Sequence, residues 1–179
     1  MSTVWLTSDW HFGHTGITDR FRKQFASMEH MEDEILYATL GMVTKRDVLI
    51  CVGDMAFDKR GLDKLKELPC RMILVRGNHD TLKTEDYMEV FDEIHGAYRY
   101  KGTFITHIPI HETELYRGEN IHGHCHRGGP RELQHGENWR QYYNAIVEYN
   151  NYQPVTFDHI KKVFADDPGP REANIPTTY

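Results

Sequence analysis

A chain of 179 residues is long enough to bury the core of one domain, and its formal charge of −6 argues against a general polyanion-binding surface. No apolar run approaches the roughly 20 residues that cross a bilayer, and the opening Met1-Ser2-Thr3-Val4-Trp5 has neither the basic nor the long apolar region of a secretory signal. Three cysteines without a Cys-x-x-Cys spacing cannot all pair, so the expected compartment is the cytoplasm and no membrane partner is expected.

In chain order, Val4-Trp5-Leu6 reads as a first strand and runs into Asp9-Trp10-His11. Arg20, Arg22 and Lys23 alternate with Phe21 and Phe25, as in some nucleic-acid grooves, although a solvated face is the plainer reading. Met28, Met31, Ile35, Leu36, Leu40 and Val43 recur at helical spacing behind Ser27, an expected N-cap. Val48-Leu49-Ile50-Cys51-Val52 reads as a second strand ending in Gly53-Asp54. Gly61 to Leu68 follows as a helix with Leu62, Leu65 and Leu68 inward and Pro69 ending it. Met72-Ile73-Leu74-Val75 is a third strand, closed by Gly77-Asn78-His79-Asp80. Beyond about residue 97 strand runs dominate: Ala97 to Tyr100, Thr103 to Thr106 ending on His107, the segment around His122, and Tyr142 to Tyr149. Thr156 is placed to cap a last helix through Phe157, Ile160 and Phe164. Residues 1–165 thus read as one domain, and the polar, Pro-containing 166–179 as a mobile tail or an arm.

Short continuous apolar runs are the mark of strands buried on both faces. Helices between the first three imply parallel pairing. In open α/β sheets, ligands gather beyond the carboxyl ends of the strands, which is where every polar cluster named above falls. The densest cluster is Ile121-His122-Gly123-His124-Cys125-His126. Three histidines in five positions are hard to explain by packing, and imidazole is the commonest neutral metal ligand near pH 7. On an extended segment His122, His124 and His126 would share a side, with Cys125 facing away.

The ordered set Asp9-x-His11, Gly53-Asp54, Gly77-Asn78-His79-Asp80, His107-x-Pro109 and Gly123-His124-x-His126 resembles the calcineurin-like metallophosphoesterase superfamily. The resemblance spans roughly residues 1–165, and Ser8-Asp9-Trp10-His11-Phe12-Gly13-His14 is similar to small bacterial and phage members. It implies a four-layer α/β fold, two packed mixed β-sheets flanked by helices. It also implies two divalent ions, one on Asp9, His11 and His126 and the other on Asn78, His107 and His124, with Asp54 bridging them through one oxygen each. His79 would face the substrate and protonate the leaving oxygen, since adjacent loop residues such as Asn78 and His79 rarely aim at one ion. His14 would contact substrate or orient a ligand. The implied reaction is hydrolysis of a phosphodiester or phosphomonoester by a metal-bridging hydroxide, the ions clamping the phosphoryl oxygens. Nitrogen and oxygen donors without thiolate suit Mn, Fe, Zn, Co or Ni. Two carboxylates, two divalent ions and a hydroxide leave a small net positive charge, so the site attracts an anion although the chain is acidic.

Arg76-Gly77-Asn78-His79 also echoes the protein Ser/Thr phosphatases, but their Gly-Asp-x-Val-Asp-Arg-Gly is replaced after Asp54 by Met55-Ala56-Phe57. The chain is short for the repair-nuclease branch, which adds capping domains. A small phosphate ester, a nucleotide among the candidates, is therefore the favoured substrate and nucleic acid the less favoured one; the oligomeric state stays open. Arg127 and Arg131, around Gly128-Gly129-Pro130, read equally as phosphate contacts or as an ordinary loop. A catalytically silent scaffold of the same fold is the rival from another class, and it should have lost ligands; all eight positions are retained. His30, His95, His111, His135 and His159 stand outside any motif and read as surface residues.

Overall fold

A computed structural model describes residues 2–115, 118–126 and 140–166. Strand β1 (Val4–Thr7) leads through helices α1 (Ile17–Arg20) and α2 (Met28–Leu40) to β2 (Val48–Cys51). Helix α3 (Lys59–Lys64), prolonged by a 3-10 turn at Leu65–Glu67, leads to β3 (Arg71–Val75), and α4 (Thr84–Met88) to β4 (Glu93–His95). Then come β5 (Tyr98–Tyr100), β6 (Thr103–Ile105), α5 (Glu112–Leu115), β7 (Asn120–His122), β8 (Tyr142–Asn144), a 3-10 turn at Val147–Asn150, β9 (Val155–Thr156) and α6 (Phe157–Asp166).

Two mixed sheets result. The first has the order β4-β3-β2-β1-β9, parallel except for β9, and the second the order β5-β6-β7-β8, parallel except for β5. The period of two along β2 and β3 explains the layering. Leu49, Cys51, Met72 and Leu74 face α2 and α3, where Met31, Ile35, Leu36 and Leu62 meet them. Ile50, Val52, Ile73 and Val75 face the other way, into a second core shared with Ile105, Ile121, Phe157 and Ile160. Beyond the second sheet, Asn120 and Tyr142 bind the backbone of Ile110, just ahead of α5. The expected α/β architecture of two packed mixed sheets flanked by helices is therefore present. No helix among the described residues is long and apolar enough to cross a membrane.

Local expectations fare unevenly. Ser27 caps α2 by accepting from His30 N–H, and Thr156 Oγ1 accepts from His159 N–H at 3.1 Å at the start of α6. The run from Tyr142 to Tyr149 does not stay extended: β8 stops at Asn144, whose side chain accepts from Ile146 N–H at 3.1 Å and bends the chain out of the sheet. The expected tail and the loop holding Arg127, Arg131 and His135 lie outside the described residues, apart from Asp166 at the end of α6.

Candidate metal centre

Strands β1, β2, β3, β6, β7 and β8 all point their carboxyl ends to one place. The loop after β1 is laid along the loop after β2 by Asp9 N–H to Gly53 O and His11 N–H to Asp54 O, both 3.0 Å. The loops after β2 and β3 are joined by Asp80: its Oδ2 accepts from Asp54 N–H and Gly77 N–H, both at 2.8 Å, and its Oδ1 accepts from Met55 N–H at 3.0 Å. Contact is so close at Gly77 that a Cβ there would overlap the Asp54 carboxylate, and one at Gly123 would overlap Ser8 and Asp9. Glycine is needed at both for approach rather than for flexibility.

Two donor groups are assembled. Asp9, His11 and His126 form one, Asp54, His107 and His124 the other, and within each group the donor atoms lie within 4.8 Å of one another. Asn78 joins the second, its Oδ1 3.0 Å from His107 Nε2. In the first, His126 Nε2 is 3.0 Å from Asp9 Oδ1 and 3.2 Å from His11 Nε2. Asp54 Oδ2 lies between the groups, 3.3 Å from His107 Nε2 and 3.9 Å from His11 Nε2. Its Oδ1 is engaged by His79 N–H at 2.8 Å. A single Asp54 oxygen therefore faces both groups, while the other is held by the His79 backbone. Asp9 is arranged alike: Oδ2 accepts from the Ser8 hydroxyl and from His124 N–H at 3.1 Å, while the buried Oδ1 faces His126 Nε2 at 3.0 Å and His11 Nε2 at 3.5 Å.

This donor set fits a pair of cations. Imidazole nitrogens and carboxylate oxygens converge on one buried place, and Asp9 Oδ1 meets two ring nitrogens, His126 Nε2 at 3.0 Å and His11 Nε2 at 3.5 Å, without a well-formed hydrogen bond to either, an arrangement of donors that suits an ion. Ring orientation is fixed from behind: His107 Nδ1 hydrogen-bonds Val52 O at 2.8 Å and His126 Nδ1 hydrogen-bonds Glu148 Oε1 at 3.1 Å, which turns each Nε2 to the centre. Without cations the charges lean on one another. Burial pushes the Asp9 carboxyl up, but His11 and His126 outweigh it and hold it well below the usual carboxylate range. Burial pushes His126 down, but Asp9 and Glu148 outweigh it and lift the imidazole to about 10. The same contest, won by Asp54, raises His107, whereas burial leaves His11 and His124 lowered.

Several sequence expectations are corrected or extended here. The chain past β7 is not extended: Cys125 N–H bonds Gly123 O at 2.7 Å, His126 N–H bonds His124 O at 3.0 Å, and His124 has φ of 67°. These turns send His124 to one donor group and His126 to the other, while His122 stays buried in β7 with Nδ1 on Gly123 O. Arg22 is not on a solvated face but fully buried, which removes it from any nucleic-acid groove. It binds Glu148 Oε1 through Nε and Nη2, both 2.9 Å, and the carbonyls of Trp10 at 2.8 Å and Asp9 at 2.6 Å. Glu148 and Arg22 carry no motif, and no local pattern marks them.

A cleft of about 710 Å³ opens over the centre, lined by His11, His14, Phe21, Phe57, His79 and Glu148 among others. Phe57 was legible only as a departure from the phosphatase pattern. Its ring lies between His14, stacked at 4.5 Å, and His79, stacked at 4.9 Å. His79 is exposed and His14 half-buried, with Nδ1 of His14 lacking a hydrogen-bond partner. Cys125 also lines this cleft but belongs to neither donor group.

Comparison with known proteins gives the same direction. The family model for calcineurin-like phosphoesterase matches residues 2–177. The uncharacterized protein MJ1445 of Methanocaldococcus jannaschii is 29% identical over 168 residues, covering 91% of this chain and 92% of its own. The crystal structure of AQ665, a protein of unknown function from Aquifex aeolicus, superposes with a TM-score of 0.72 at 28% identity, covering 91% of this chain and all of that one. With a matching family model over nearly its whole length, the chain belongs to the calcineurin-like phosphoesterases.

Proposed function

We propose that the protein is a dinuclear-metal phosphoesterase acting on a small phosphodiester or phosphomonoester, with nucleotides among the candidate substrates. The observation that carries this reading is Asp54 Oδ2, held between two complete donor groups at 3.3 Å from His107 and 3.9 Å from His11. Asp9, His11 and His126 would hold one ion and Asn78, His107 and His124 the other, with Asp54 shared; Mn, Fe, Zn, Co and Ni all suit these donors. Such a pair of ions supplies an acidified water and neutralises phosphoryl charge.

The chain's own side chains account for the rest. His79, whose backbone N–H bonds Asp54 and whose ring stacks on Phe57, would give a proton to the leaving oxygen. His14, stacked across Phe57 and lining the cleft, would contact the substrate or orient a ligand. Three free cysteines support a reducing, cytoplasmic setting. A silent scaffold with a decayed site would hold fewer ions and show no turnover.

The test is metal content and hydrolysis together. Protein reconstituted with excess metal should hold two ions per chain and cleave aryl phosphate esters. His79→Ala should keep both ions and lose about 10²–10⁴-fold on alkyl or nucleoside leaving groups, with a smaller loss on nitrophenyl esters, whose anion departs unaided. One ion or none at saturation would sink the reading. Equal losses along the leaving-group series would make His79 a charge stabiliser instead of an acid.

A further inference from the structure

Beside the Asp9, His11 and His126 group lies an ion pair, its arginine fully buried and its glutamate at the cleft wall, that hydrolysis itself does not call for. Glu148 Oε1 accepts from Arg22 Nε at 2.9 Å, is ion-paired with Nη2 at 2.9 Å, and meets His126 Nδ1 at 3.1 Å. Arg22 is fully buried, and its other contacts hold the carbonyls of Asp9 and Trp10. A buried Arg–Glu pair is a poor device for stability, since apolar residues of the same shape usually do as well or better. Glu148 Oε2 is even left buried without a hydrogen-bond partner, so the pair is not optimised as a structural bridge. What the pair does and an apolar pair could not do is present a carboxylate oxygen to the far nitrogen of His126.

We infer that Glu148, clamped by Arg22, is a positioning residue for the ion held by Asp9, His11 and His126, and not for the other one. The inference rests on the dinuclear reading above. Glu148 fixes the His126 ring with Nε2 toward the ion and strengthens that nitrogen as a donor, while the same guanidinium holds the backbone of Asp9, a second donor to the same ion. The segment carrying Glu148 is tied to the end of β1 through Val147 N–H to Ser8 O at 3.2 Å and a bridge between Ser8 and Ile146, so donor and support move together. The second group is built differently: His107 leans on a backbone carbonyl, a neutral acceptor. The two sites thus differ in what stands behind their histidines, and that difference is addressable by mutation.

The experiment is site-resolved metal binding by cadmium NMR on the full chain. Wild type should give two cadmium resonances, and His126→Ala, by abolishing one, assigns the first site. In Glu148→Gln that same resonance should need about 10–100-fold more free cadmium, while the other keeps its affinity. Because Glu148→Gln leaves Arg22 buried without its carboxylate, the double variant Arg22→Met with Glu148→Leu removes both charges and should show the same one-sided loss. If both affinities fall together, the pair is merely structural and the inference fails; it fails equally if neither changes. Fewer than two resonances from wild type would instead overturn the dinuclear reading and this inference with it.

Discussion

Asp9, His11, Asp54 and His124 occupy left-handed backbone, with φ of 60°, 57°, 53° and 67°. A side chain with a Cβ pays about 1–2 kcal/mol to stand there, and Asp and His tolerate it better than most. Such strain concentrates at functional sites because surrounding contacts over-determine it; here the backbone bonds from Asp9 to Gly53 and from His11 to Asp54 do so. At His11 the expectation is an inversion of the usual rule. In chelator, His11→Gly should be more stable than His11→Ala by about 1 kcal/mol, because only glycine adopts this φ freely. Urea denaturation decides it, and a more stable alanine variant would mean the backbone relaxes when the imidazole is gone. The motifs named the donor residues, but not this conformation, which follows from contacts between loops far apart in sequence. Arg22 and Glu148 were illegible for a similar reason. An arginine between Phe21 and Lys23 reads as solvated, and Glu148 sits in a run whose alternation suggests a strand.

Among the elements, the parallel strands β1, β2 and β3 were legible because both their faces are buried and their residues form unbroken apolar runs. Strand β4 was not, since Ile94 is its one apolar residue between Glu93 and His95. The 3-10 turn at Val147–Asn150 hid behind buried Ile146 and Val147, which in a linear pattern look like strand. Asp80 shows how the loops are joined once the strands are in place. Its carboxylate takes three backbone N–H groups from the loops after β2 and β3, and burial, added to the Asp54 charge, nevertheless raises its pKa. Asp80→Asn keeps the shape but turns one acceptor into a donor facing an N–H. Unfolding in chelator should be easier by about 1–3 kcal/mol, the cost of leaving a buried backbone donor unsatisfied, and Asp54 should lose its fixed placement. Unchanged stability would show that the two loops are held by other means.

For the molecule as a whole, the centre sets the pH response of the metal-free protein. His126, lifted from 6.5 to about 10, contributes stability that is complete below about 6.5 and lost as pH rises through about 10. Raised His107 acts in the same direction. Glu148, which burial would raise but Arg22 and His126 hold down at about 2 from 4.5, contributes stability present above about 4.5 and lost as pH falls toward 2. Lowered His11 and His124 add to the acid loss, because protonating them opposes folding. In chelator the urea midpoint should therefore be highest near pH 6.5, falling toward pH 10 as His126 and His107 lose their protons and falling again in acid as His11, His124 and then Glu148 take protons up. With saturating metal the alkaline fall should vanish, since the cation takes the place of the proton on His126. A flat chelator profile above pH 6.5 would contradict the arrangement of His126 between Asp9 and Glu148. The Oδ1 of Asp9, ringed by imidazole nitrogens without a well-formed hydrogen bond, has a consequence outside chemistry. With ions bound as proposed, each one filled to a hundred times its dissociation constant adds about 2.7 kcal/mol to the folded state. Proteases draw on the unfolded fraction, so a shift of that size changes abundance several-fold. A cell starved of the ion would then lose the polypeptide itself, through degradation, and not only its turnover of substrate.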